Sequence, residues 1–143
     1  MLTIELVPST VWYKNLRSEL TKAQWDHLRK NSYRAAGYVC EVCGGKGPKW
    51  PVECHEIWEF NDEEFTQTLK GLISLCPSCH EVKHIGLAGK RGRGENARSH
   101  LAQVNGWTEA HAQEYIEGAF SIWAERSLNE WTLDISWIED HLA

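Results

Sequence analysis

Apolar residues recur at helical spacing in three stretches of the chain and alternate with polar ones in three others. Thr21 with Gln24 three residues on is a capping box, and it predicts a helix from about 22 to 36. Trp25, Leu28, Ser32, Ala35 and Ala36 fall on one side of it, Gly37 closes it, and Lys22, Arg29, Lys30 and Arg34 make it basic. A second helix is predicted near Glu95 to Val104, with Ala97, Leu101 and Val104 on one face and Gly106 at its end. Thr108 then caps a longer one, in which Ala112, Tyr115, Ile116, Ala119, Phe120 and Trp123 follow the 3.6-residue repeat. Alternation predicts a strand or bent hairpin over Val52 to Phe60, turning at Asn61-Asp62, and a final strand through Trp131, Leu133 and Ile135. Ile4 to Val7 reads as a short strand ended by Pro8. A helix from His80 to about Leu87 is limited by Gly86 and Gly89, and Lys90 to Gly94 reads as a flexible basic linker. These elements describe an α+β protein, expected to form one domain over residues 1–143 with a helical C-terminal extension at 95–143.

Composition changes this picture in two respects. Eight tryptophans are many for this length and are expected mostly as core or packing residues. The net charge of −5 is unevenly spread: fourteen of the fifteen Lys and Arg, but only twelve of the twenty Asp and Glu, precede residue 99. A face that meets nucleic acid therefore belongs to the first two-thirds, with the acidic end turned away. No stretch has the roughly 20 apolar residues of a membrane span, and the start lacks a signal-peptide pattern, so a cytoplasmic location is expected.

The candidate chemistry lies in the middle. Cys40 and Cys43 form one Cys-x-x-Cys pair and Cys76 and Cys79 another, thirty-two residues apart. Such pairs supply four thiolates for a tetrahedral zinc, which closes the coordination sphere and makes the site structural. Cys54 is left over and reads as a small buried residue. The second pair runs straight into His80 and His84, whose spacing puts both on one side of a helix, and His55 lies upstream. His27, His100, His111 and His141 have no such company.

In the residues Val52-Glu53-Cys54-His55-Glu56-Ile57, then Gly71-Leu72-Ile73-Ser74-Leu75-Cys76-Pro77-Ser78-Cys79-His80 and His84, the chain resembles the HNH endonucleases. The likeness covers about residues 38–86, and the flanks look like a phage or bacterial subfamily. It implies a small ββα-metal core with a four-cysteine zinc knuckle, flanked by an N-terminal helix and C-terminal helices. It also implies hydrolysis of DNA phosphodiester bonds, with His55, His80 and His84 holding a second divalent ion: zinc, nickel, manganese or magnesium. Three imidazoles suit the transition metals better than magnesium.

Two positions depart from the family pattern. Glu56 stands where the family has its general-base histidine, and Gly71 where it has an orienting asparagine. The departures compensate each other if Glu56 is the base, because a carboxylate has no tautomer to fix. As a base it would be weak, its reference pKa of about 4.3 lowered further by a nearby cation. Glu56 as a fourth ligand, and His55 as the base in a shifted register, remain open. Lys83, Arg91 and Arg93 are candidates to hold neighbouring phosphates.

Two other functions compete. A non-cutting HNH-like zinc module would bind nucleic acid or a protein partner, the latter through the long helix near 109–126. His80-Glu81-Val82-Lys83-His84 also satisfies the His-Glu-x-x-His pattern of zinc proteases, with Glu81 as base.

Overall fold

A computed structural model describes residues 1–12 and 14–142. Two short helices, α1 (Leu16–Glu19) and α2 (Lys22–Ala35), lead into the first cysteine pair. Strands β1 (Glu53–Asn61) and β2 (Thr66–Leu75) form an antiparallel hairpin whose turn is held by Asn61 Oδ1, which accepts from the amides of Glu63 and Glu64. Next come α3 (Pro77–Lys83), α4 (Ile85–Lys90), α5 (Gly94–Asn105) and α6 (Glu109–Arg126). Strand β3 (Thr132–Asp134) adds in parallel to β2 and makes β2 the middle strand, and a 3₁₀ turn, Ser136–Asp140, follows. The architecture is α+β, with a three-stranded sheet carrying helices on both faces.

Strand alternation assigns those faces. Cys54 and Leu72 turn toward α1 and α2, where Leu16, Trp25 and Leu28 complete one apolar cluster. Ile73, which pairs with His55, turns the other way and packs against the cluster built by α3 to α6, including Val82, Ile85, Leu101, Ala112 and Ile116. The ladder slips between Ile57 and Trp58, so that Gly71 pairs with Ile57 and Leu69 with Trp58, leaving Lys70 unmatched.

The Thr21 capping box, the Thr108 cap and the C-cap Gly106 (φ 66°) behave as the sequence predicts. Three expectations are corrected. Ile4 to Val7 is not a strand; it is extended chain tied by side chains, with Asn105 bonded to both backbone groups of Leu2 and the Tyr115 hydroxyl accepting from the Ile4 amide. The helix expected from His80 starts earlier, at Pro77, pauses at His84 (φ −107°, ψ 48°) and resumes through Gly86 and Gly89 to Lys90. Burial of Ile85 and Ala88 outweighs the roughly 1 kcal/mol that each glycine costs a helix. Lys90 to Gly94 is no flexible linker but a tight turn, closed by the Arg93 amide on Ala88 O at 2.8 Å and by Gly92 at φ 72°. Most tryptophans are core or packing residues as expected: Trp25 and Trp131 are buried, Trp58, Trp107 and Trp137 pack partly buried against the two clusters, and Trp12 and Trp50 stand well into solvent.

Candidate functional site

The loop after α2 and the junction of β2 with α3 bring the four predicted cysteines together. Their sulfurs all lie within 4.8 Å of one another. Cys43 Sγ and Cys76 Sγ are 3.6 Å apart, close to the ~3.8 Å edge of a tetrahedron with Zn–S bonds of ~2.3 Å. Backbone amides turn toward them: Cys43 N donates to Cys40 Sγ, Gly45 N to Cys43 Sγ and Cys79 N to Cys76 Sγ, at 3.4 to 3.5 Å. Gly44, at φ 75°, supplies the left-handed bend of the first knuckle. Gly47 is needed for space, since a Cβ there would lie 2.3 Å from Trp50 O and 2.7 Å from the Pro77 ring.

These sulfurs differ electrostatically. Burial raises Cys76 and Cys79, whereas for Cys40 the amides of Cys43, Cys76 and Val42 outweigh burial and bring the thiol down to about 7. The cluster can hold a metal ion, and its donor set suits zinc. His100, given no role by sequence, places Nε2 3.2 Å from Cys79 Sγ, where an N–H can stabilise a bound thiolate. Its position on α5 makes it a neighbour only through folding, so no local motif marks it. Cys54 lies apart, and burial pushes its thiol up to about 12.

The three predicted histidines also converge. One nitrogen of each of His55, His80 and His84 lies within 4.8 Å of the others. The Nε2 atoms of His80 and His84 are 3.1 Å apart, and the His55 ring stands edge-on to both at 5.2 Å between centroids. His55 is 8% exposed, and its Nδ1 is buried without a hydrogen-bond partner. Such an orphaned donor-acceptor atom is costly unless something binds it. Burial, and then the neighbouring imidazoles, hold His55 down to about 2 and His84 to about 4, so both present neutral, ligand-ready nitrogens.

Glu53 was not singled out by sequence reasoning. It lies on the His55 face of β1 and places Oε1 3.0 Å from His80 Nδ1, while its other oxygen accepts from the Trp50 indole at 3.0 Å. A period-two count from His55 could have found it.

Glu56 follows His55 on the opposite face of the strand, toward α1, and its carboxylate is outside the three-histidine set. Burial raises its carboxyl above the usual range, outweighing its own backbone amide, Arg17 and His80, which all pull it down. Gly71 is buried opposite Ile57, and a Cβ there would make ordinary contact, 3.7 Å from Ile57 Cδ1.

The expected phosphate contacts fare unequally. Lys83 is engaged by Glu5 (2.9 Å) and Thr3 (3.1 Å), with a side chain 10% exposed. Arg93 grips Glu81 through two bonds at 2.6 and 3.1 Å. Arg91 is exposed. The same pair occupies Glu81, the base that a protease reading requires, and the helix it needs breaks at His84.

No protein-family model, curated protein or solved structure matches this chain. Among the described residues, no helix is long and apolar enough to cross a membrane.

Proposed function

We propose that the protein is a metal-dependent endonuclease of the HNH type, hydrolysing phosphodiester bonds in DNA beside a structural zinc held by four cysteines. The observation that carries this reading is the convergence of His55, His80 and His84 where a β-hairpin meets a helix, with one buried ring nitrogen left unpartnered. The resemblance over residues 38–86, with its ββα-metal core and its phage or bacterial setting, agrees with that geometry. A divalent ion on the three imidazoles would polarise the scissile phosphate and stabilise the leaving oxygen.

The chain's own residues supply the rest. Glu53 fixes the ring plane and tautomer of His80. Glu56, raised by burial, is a better proton acceptor than a solvated carboxylate and draws the proton from an attacking water. A second reading, a zinc module that binds DNA or a protein without cutting, is favoured by one observation: Glu56 projects from the strand face opposite the histidines.

The test is incubation of metal-stripped and then metal-replenished protein with plasmid and single-stranded DNA, beside Glu56→Ala and His80→Ala. Ion-dependent nicking lost in both variants is expected. No cutting with any ion, while the thiolates keep their zinc, would establish the binding module. Cutting that survives Glu56→Ala but not His80→Ala would remove Glu56 from the role of base.

A further inference from the structure

A cleft of about 570 Å³ opens between α2 and the start of β1, and it shares Glu53 and His80 with the histidine cluster. That volume is within the roughly 300–1,000 Å³ of small-ligand sites. Its walls combine aromatic faces with cations. Trp50 and Tyr38 line it while 51% and 47% exposed, so neither ring is spent on the core. Tyr38 is also held at φ 61°, a left-handed conformation that a bulky residue rarely adopts and that no burial of its ring offsets.

Charge in the cleft is not balanced. Asp26 is engaged by Lys22 and Arg29, and Glu53 by Trp50 and His80. Arg17 lies over the Trp25 ring at 5.2 Å and has no ion pair or hydrogen bond from its guanidinium among the described residues. It faces the cleft as an unspent cation, and its field reaches both His84 and Glu56.

We infer that this cleft seats an unpaired nucleotide next to the histidine cluster, its base against Trp50 and Tyr38 and its phosphate at Arg17. The inference rests on the nuclease reading of that cluster and names its substrate class: DNA with single-stranded character. A base inside a duplex has both faces covered by its neighbours, so only an unpaired base offers a π-face to an aromatic wall. Each stacked base strengthens binding by about tenfold or more. The Trp50 indole also donates to Glu53 Oε2, while Oε1 of the same carboxylate orients His80, which ties occupation of the cleft to the geometry of the cluster.

The experiment is fluorescence anisotropy with a labelled single-stranded oligodeoxynucleotide and a duplex of the same sequence, without added divalent ion. Wild-type protein runs beside Trp50→Ala, Trp50→Phe and Tyr38→Ala, with zinc content and thermal unfolding confirming that each variant is folded. Wild type is expected to hold the single strand at least tenfold tighter than the duplex. Trp50→Ala and Tyr38→Ala each lose fivefold or more of single-strand affinity and leave duplex affinity unchanged. Trp50→Phe keeps single-strand affinity, because it retains a ring and gives up only the indole N–H. Equal affinity for the two nucleic acids, or alanine variants that bind the single strand like wild type, would overturn the inference. Cleavage of the same substrates with metal restored separates the two readings. Duplex cutting without single-strand preference removes the cleft and keeps the nuclease, whereas single-strand binding without cutting does the reverse.

Discussion

Glu53 Oε1 lies 3.0 Å from His80 Nδ1, a contact between the first residue of β1 and the middle of α3. It leaves the other ring nitrogen of His80 facing His84 Nε2 at 3.1 Å. A carboxylate on the far nitrogen of an imidazole fixes its tautomer and raises its basicity as a ligand.

Glu53→Ala is therefore expected to weaken divalent-ion binding at the histidine cluster by about 10–100-fold while the four-thiolate site keeps its metal. Calorimetric titration of zinc-loaded protein with a second divalent ion reads this directly. Unchanged affinity would mean that the contact does not orient His80.

Glu56 offers a test in which activity and stability move in opposite directions. Its raised carboxyl means that the fold disfavours the ionised form, so at neutral pH that charge counts against the folded state. Glu56→Gln is expected to abolish cleavage and to raise the unfolding temperature of protein free of the second ion. A lowered unfolding temperature at pH 7 would show that the carboxylate is held by favourable contacts.

The histidines set an acid limit. His55 is depressed from 6.5 to about 2, so between those values the unfolded chain binds a proton that the fold refuses. Stability is fully present above about pH 6.5 and falls as pH drops below it, by up to about 1.4 kcal/mol per pH unit for this one imidazole. His84, depressed to about 4, adds a smaller share because it is more open to solvent. Glu56 partly offsets the loss, its raised carboxyl favouring the fold as pH falls. Unfolding temperatures at pH 7.0, 6.0 and 5.0, measured after mild chelation that leaves the thiolate-bound ion in place, should decline. A flat profile over that range would contradict the burial of His55.

Cysteine reactivity divides the five thiols by burial and by the amides that face them. With metal bound, none is expected to react with iodoacetamide at pH 7.5. After strong chelation Cys40, brought down to about 7 by its amides, and the exposed Cys43 should alkylate first, while Cys54, pushed up to about 12 by burial, and Cys76 and Cys79, also raised by burial, lag as long as the fold persists. Mass spectrometry counts the adducts, and early modification of Cys54 would place it elsewhere than under α2.

Much of this arrangement was legible in the sequence. Cys-x-x-Cys pairs and histidines four apart advertise themselves because their chemistry demands short spacing, and the caps at Thr21 and Thr108 are equally local. What escaped depends on distant partners. Ile4 to Val7 has the composition of a strand, yet folding sets it against α6, whose Tyr115 and Trp123 side chains bond to its backbone. Lys83 and Arg93 read as free cations until folding delivers Glu5 and Glu81 to them. His100 meets Cys79 only because α5 packs beside α3. Glu56 shows the same limit: an adjacent cation can be anticipated, but the depth of burial that opposes it cannot.

The pinning of the first residues has a consequence for how the chain is made. Leu2 and Ile4 belong to the same core as Leu101, Ala112 and Ile116. Leu2 and Ile4 bond to Asn105 and Tyr115, and Val7, Ser9 and Thr10 to Trp123, Ser127 and Asn129, more than a hundred positions later. Contacts of such long sequence separation form slowly and only once both partners exist. During synthesis at ~5–20 residues per second, this segment waits several seconds for partners made more than a hundred positions after it, so it settles only once α5 and α6 are complete.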